Sequence, residues 1–546
     1  MLKLRSVNFA YREKDETFFV NTTRSVRNDR VSLEINTDGN EFSINIHTSS
    51  PVTIEVLTAE FEYPFDKSDR IFLNGYQSWT DSTEHGINGI MRGIERVPAK
   101  LAEKYALSQY GDYNFTTYPN IPGLIHGWSY GYVRRKDEFD FMGSLSESSG
   151  FTNIRISSNN DSIVFTQDCN GVEINGDHCG MRLLLKTGTE DEVFDDYFSR
   201  LKVSVRPEVK PIFGYTSWYR HYNNISDEIL LKDLEGLASQ KYKADVFQID
   251  DGYQTAVGDW LMYDEVKFPD GMKKIASKIS EQGMIPGIWL APFAASVDSE
   301  IYCYHKEWLL RDSSGHLVKG GSNWGGFYAL DIYNEDVRDY LREVFNTIIN
   351  DWGFRLLKLD FLYAACICPR ADKTRGTVMA DAMEFLRETA GDALLIGCGV
   401  PLASAFGKVD YCRIGCDVSP DWDGKPLMKY SHRERVSTKN SLLNTVFRRQ
   451  LNGRAFLNDP DVFMLRDEEN EMTDEQRHTL SEINAIAGSV MLTSDDISAY
   501  NEDQQAFLHR IMALREAKVI SAIPGKGKLL LKVAYKGKTY TRIYEI

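Results

Sequence analysis

Apolar and polar positions alternate with a period of two through much of the first two hundred residues. The clearest runs are VSLEINTDGNEFSINIH (31–47), PVTIEVLTAEFEY (51–63) and GFTNIRISSNNDSIVFTQD (150–168), with Asn, Asp and Gly between them. That period turns one face of each strand to a core and the other to water, so 1–205 is predicted as an N-terminal antiparallel β-sandwich domain without a long helix. From about 211 the pattern changes: short apolar runs of strand length alternate with helix-length segments. Strands are predicted at 213–219, 244–250, 284–290, 354–360, 393–399, 409–415, 454–458 and 489–493. Helices are predicted at 226–240, 271–282, 334–352, 371–390, 434–452 and 473–487. Only 399–409 is too short to hold a full helix. Eight strands with intervening helices make a (β/α)8 TIM barrel the expected α/β fold of 206–499. A doubly wound open sheet is the alternative, but no GxGxxG or GxxxxGK[ST] follows an early strand, which weakens its nucleotide-binding form. One helix and GKLLLKVAYKGKTYTRIYEI then predict a small C-terminal β-rich domain over 500–546.

Composition narrows the partners. With 63 Lys and Arg against 79 Asp and Glu, the 546-residue chain carries a formal charge of −16, which argues against nucleic acid or an anionic membrane as partner. No apolar stretch follows the basic start of MLKLRSVNFAYREKDETFFV, and no window approaches a membrane span. The eight cysteines are sparse for this length, so reduced thiols and a cytoplasmic location are expected. Tyr (28), Phe (28) and Trp (9) are abundant; they serve either core packing or a face on which sugar rings stack.

Barrel active sites form where strands end, so strand-end residues carry the chemistry. Asp250 and Asp251 end the second strand, Asp360 the fourth, and Asp417 follows the sixth. Asp459 and Asp461 follow the seventh, and Asp495 and Asp496 the eighth. Any one of these could cap a helix; together they form an acidic ring on one mouth. The ten His are scattered without metal-binding spacing, and Cys366 and Cys368 lack a second pair, so no metal and no cofactor are expected. Paired carboxylates remain, the equipment for cleaving a glycosidic bond. Lys358 lies two positions before Asp360 and shares its face, so it is expected to keep Asp360 ionised. Trp289 ends the third strand, with Trp218 and Tyr219 ending the first.

The ordered segments SWY (217–219), QIDDGYQ…GDW (248–260), PGIWLAPF (286–293), KLDFLY (358–363), GCG (397–399), RIGCDVSPDW (413–422) and NDPD (458–461) resemble glycoside hydrolase family 36, in its short bacterial α-galactosidase form. GYQSW (75–79) is similar to the family segment that places a Trp over the barrel mouth. The resemblance implies a retaining enzyme with Asp360 as nucleophile and Asp417 as acid/base. It implies that Asp250 and Asp251 grip O4 and O6 of galactose, that Lys358 reaches O3 and O4, and that Cys398 and Arg413 lie near O2. Trp79, Tyr219 and Trp289 become pocket aromatics. By spacing, Asp421 is a second candidate for the acid.

The expected function is hydrolysis of terminal α-linked galactose from small galactosides such as melibiose and raffinose. The alternatives are an α-N-acetylgalactosaminidase, a transglycosylase, and a non-catalytic carbohydrate-binding protein. A thiol and an arginine near O2 leave little room for an acetamido group. The partner is a small oligosaccharide, and a monomer or homodimer is expected.

Overall fold

The computed structural model describes residues 2–370, 372–424 and 431–546. Its N-terminal part is a continuous antiparallel sheet of thirteen strands, from Lys3–Glu13 to Glu173–Gly188. The 22-residue strand Glu41–Glu62 is its spine and pairs with four neighbours. Bulges between Ile174 and Gly176 and between Cys179 and Met181 bend the ladder, as an unpaired extra residue does. The sheet folds around a core that includes Val7, Ile44, Ile54, Ile154, Phe165 and Leu183, all buried. Phe72, Tyr130, Tyr132 and Phe141 instead join the apolar cluster of the barrel.

One element here departs from expectation. Glu190–Leu201 is a twelve-residue helix, capped by a reciprocal Thr189–Glu192 box. Its first turn is acidic, which obscures the apolar stripe in the sequence; Val193, Phe194, Tyr197 and Phe198 are nevertheless buried.

The barrel strands are β1 (Ile212–Thr216), β2 (Val246–Ile249), β3 (Ile285–Leu290), β4 (Leu356–Leu359), β5 (Leu394–Gly397), β6 (Tyr411–Arg413), β7 (Leu457–Asp459) and β8 (Val490–Thr493). They pair in parallel in the order β7-β6-β5-β4-β3-β2-β1-β8. Closure between β7 and β8 rests on a Val462–Leu492 bridge and on the Phe463 and Ser489 N–H groups, which donate to Leu492 and Asn458 at 2.9 Å each. Each predicted strand has its counterpart, although β7 begins at Leu457 because Arg454 and Ala455 still belong to the preceding turn.

The helices are Asp227–Ala238, Met272–Glu281, Glu335–Asn346, Arg375–Ala390, Thr438–Phe447 and Asp474–Ala487. The helix predicted over 371–390 starts on Ala371, outside the described residues. Only a 3-10 turn, Leu402–Ala405, joins β5 to β6. An excursion after β3 was not foreseen: it carries a small sheet of Ala294–Ser296, Lys319–Gly321 and Phe327–Ala329.

After the helix Glu502–Leu514, three antiparallel strands, Lys518–Gly525, Lys528–Tyr535 and Lys538–Glu545, complete the chain. They dock on the helix Asp474–Ala487, where Glu482 accepts from Arg542 at 2.6 Å and from the Tyr544 hydroxyl at 3.2 Å. No described helix is long and apolar enough to cross a membrane.

Candidate active site

Asp360 follows β4 directly. Its Oδ2 accepts the Trp289 indole N–H at 3.1 Å, and its Oδ1 accepts the Phe361 backbone N–H at 2.8 Å. That second bond exists because Phe361 turns into the left-handed region, φ +53°. A bulky residue there costs roughly 1–2 kcal/mol. The Phe361 ring is held edge-on by Trp79 and Trp324, with centroids 5.1 and 4.9 Å away. Burial pushes the Asp360 carboxyl above the usual carboxylate range; the Lys358 charge and bonds from Cys398 and Trp289 oppose it.

The Lys358 ammonium donates to Asp250 Oδ2 at 2.9 Å; its charge also favours the ionised form of Asp360, against the larger effect of burial. Asp250 is nearly saturated. Its Oδ2 also accepts from Gln248 at 2.7 Å and Thr216 at 3.3 Å, and its Oδ1 takes the Asp251 N–H at 3.0 Å. Asp251 turns the other way, accepting from Gln254 at 2.5 Å and the Trp324 indole at 2.9 Å. Burial, with Asp250 and Asp360 nearby, raises its carboxyl above the usual range.

Arg413, at the end of β6, is buried and donates through Nη2 to Asp417 Oδ1 at 2.9 Å; the same nitrogen lies 3.1 Å from Asp461 Oδ2. Asp417 is the open member of this group, its side chain 39% exposed against 5% for Asp461. Tyr219 is buried and gives its hydroxyl to Asp461, so its polar end supports the acids. Asp421 closes its own turn, accepting from Ser419 at 2.8 Å and from the Gly424 N–H.

The N-terminal domain completes the mouth. The Ser78 N–H donates to Val400 O at 2.9 Å, and Gln77 bridges to Pro401, so the 75–79 loop lies along the end of β5. Trp79 then donates its indole N–H to Cys398 Sγ at 3.2 Å. Arg448 fixes the loop. Fully buried, it donates to Asn74 Oδ1, Gly75 O, Gln77 O, Ser78 O and Ile414 O.

Gly399 is needed where the two domains meet. Its φ is +57°, and a Cβ would lie 2.9 Å from Trp79 Cζ2 and 3.0 Å from the Phe361 nitrogen. Gly399→Ala is expected to cost about 1–3 kcal/mol. A urea unfolding midpoint equal to that of the parent would contradict this.

The structure thus joins the predicted residues Asp250, Asp251 and Lys358 in one set of contacts, Trp289 with Asp360, Trp79 with Cys398, and Arg413 with Asp417. Trp324, Asp461 and Arg448 were not singled out as site residues. Asp461 was visible in NDPD; Trp324 lies in the unforeseen excursion, and nothing in the local sequence around Arg448 marks it.

The melibiase family model matches residues 192–375. The A type blood α-D-galactosamine galactosaminidase of Flavonifractor plautii is 30% identical over 162 residues, 28% of this chain and 15% of that protein. The α-galactosidase AgaA of Geobacillus stearothermophilus is 25% identical over 172 residues, 30% of this chain and 22% of that protein. These matches span less than a quarter of the length of either relative. Among solved structures, the α-galactosidase TtGalA of Thermus thermophilus, in complex with p-nitrophenyl α-D-galactopyranoside, superposes with a TM-score of 0.74 at 26% identity. That match covers 95% of this chain and 98% of that one. The fold and these matches together define a barrel of the glycoside hydrolase class. The chain is similar to the melibiases, glycoside hydrolase family 36, over residues 192–375, and to the α-galactosidase TtGalA over nearly its whole length.

Proposed function

We propose that the chain is a retaining, exo-acting α-galactosidase that releases terminal α-linked galactose from small galactosides of the melibiose and raffinose type. The observation that carries this is the pair Asp360 and Asp417, one enclosed and one open, beyond β4 and β6, two strands apart on a single barrel mouth. Asp360 attacks the anomeric carbon, and the C–O bond to the aglycone breaks. The departing oxygen takes the proton of Asp417, leaving a galactosyl ester on Asp360. Asp417 then removes a proton from water, whose oxygen displaces Asp360 and releases galactose with its configuration retained. Asp250, Asp251 and Lys358 grip sugar hydroxyls, Cys398 and Arg413 border O2, and Trp79 and Trp289 wall the pocket. The reaction so written requires no metal or cofactor.

TtGalA, which this chain covers over 99% of that protein's length at 27% identity, has a structure in complex with stachyose, a galactoside that supports this substrate class. We read the domains as 1–205, 206–499 and 500–546, and the enzyme as a cytoplasmic monomer or homodimer acting on imported oligosaccharide.

The second reading, an α-N-acetylgalactosaminidase, draws on the name of the Flavonifractor plautii relative. The test is a side-by-side assay of an aryl α-galactoside and its 2-acetamido analogue. The galactoside is expected to turn over about 100-fold faster or more, because the buried Cys398 and Arg413 crowd O2. The reverse ranking would establish the second reading.

A further inference from the structure

We infer that the enzyme favours galactosides whose leaving group carries an anion, a carboxylate or a phosphate ester, held in an arginine-lined cavity beside the barrel mouth. The inference rests on the α-galactosidase reading and names the substrate class of that same site. The cavity has a volume of about 280 Å³, close to the roughly 300 Å³ at which small-molecule sites begin. Asp81, Arg92 and Arg96 line it from the N-terminal domain, and His432, Arg433 and Arg435 from the barrel segment that follows β6. The two walls are clasped together: the Asp81 N–H donates to Arg433 O at 3.1 Å, and the Arg433 guanidinium donates to Asp81 O at 2.5 Å. Asp81 stands just beyond Trp79, and Ser437, shortly after Arg433, donates its N–H to Asp417 O at 3.1 Å. A leaving group departs on the side of the acid/base, so a cavity between these segments lies toward the aglycone.

The charge pattern names the ligand. Among the described residues, Arg92, Arg96 and Arg433 have no carboxylate within ion-pair distance, although Arg433 is buried; Arg435 has Asp423 at 3.2 Å. The carboxylates behind Arg433 are committed elsewhere. Asp112 accepts from Tyr118, His126 and Trp128, and Glu434 accepts from Thr80 and Tyr113. Asp81 is the one acid lining the cavity among the described residues. In a chain of net charge −16, this wall therefore keeps an unmet positive charge, and guanidinium groups bind carboxylate and phosphate through short, charge-assisted hydrogen bonds. Asp81 Oδ1 and His432 Nδ1 are enclosed there without hydrogen-bond partners and are placed to accept from the hydroxyls of the same sugar unit.

The test compares kcat/KM for melibionate, in which the glucose unit of melibiose is oxidised to its carboxylate, with kcat/KM for melibiitol, the neutral open-chain counterpart. The parent is expected to prefer melibionate about tenfold, the size of one charge-assisted hydrogen bond. The double variant Arg92→Gln, Arg96→Gln is expected to lose that preference while turning over a neutral aryl α-galactoside at the parental rate. Melibiose 1-phosphate against melibiose separates the two anions: a larger preference in this pair assigns a phosphate ester, and a larger one in the first pair a carboxylate. Equal kcat/KM within both pairs, or a preference left intact in the double variant, would overturn the inference. The underlying reading fails differently. If the parent does not turn over the aryl α-galactoside, the α-galactosidase reading falls and takes the inference with it. If the parent turns it over but ignores the anion, the inference alone falls.

Discussion

Asp360→Gly is expected to lower turnover of an aryl α-galactoside by about four orders of magnitude or more, roughly 5 kcal/mol of transition-state stabilisation. Sodium azide is expected to restore product formation as the β-galactosyl azide. The substitution removes the carboxylate and opens space beside Trp289 and the Phe361 N–H, its two donors. A small anion can occupy that space and attack the anomeric carbon from the side Asp360 would use, inverting it once. Burial makes this outcome specific to the position. A carboxyl pushed above its usual range by an enclosed site is a stronger base, and so a better nucleophile when ionised, than an exposed one. The pH consequence has a definite sign: with its proton affinity raised, Asp360 loses nucleophilic form as pH falls, and the acid limb of the parent profile lies above the ordinary carboxylate range. Full activity in Asp360→Gly would sink the nucleophile assignment.

The second large effect is at Asp417. Asp417→Ala is expected to slow hydrolysis of raffinose by about 10³-fold, within the range supplied by a positioned general acid. A dinitrophenyl galactoside, whose leaving group needs no proton, is expected to lose little in the first step. The galactosyl ester then accumulates, because water lacks its base, and azide is expected to discharge it as the α-galactosyl azide. Opposite azide anomers from the two variants would distinguish the two carboxylates more sharply than rate losses. Equal losses on raffinose and on the dinitrophenyl substrate would contradict the role of Asp417 and return attention to Asp421. That alternative has a structural cost, since Asp421 is engaged in its own turn with Ser419 and Gly424.

Much of this site was legible along the chain because a barrel places its strand ends in sequence order on one mouth. Asp250, Asp360 and Asp417 could be read in that way, as could the chain's change of period near 211. Lys358 shows where such reading stops. Its two-residue spacing correctly put it on the face of Asp360, but the spacing could not rank two carboxylates. Asp250 takes the ammonium because β2 and β4 both flank β3 in the sheet, a relation across more than a hundred residues. Tyr219 shows the same limit. Its position after β1 was readable, but its hydroxyl reaches Asp461 because β1 and β7 both border β8 in the closed barrel.

The sequence by itself determined the periodicities, and with them the antiparallel sheet, the eight-stranded barrel and the carboxylates at its mouth. Those follow from local rules: which face of a strand is apolar, and which residues stand where the strand ends. Tertiary structure alone decided the partners. It set Trp79 on Cys398 through a loop anchored by the buried Arg448, brought Trp324 to Asp251 from an excursion without periodic pattern, and divided one guanidinium between Asp417 and Asp461. The reason is physical. Hydrogen bonds and burial depend on distances between residues far apart in the chain, and those distances exist only once the barrel has closed and the N-terminal domain has docked on it.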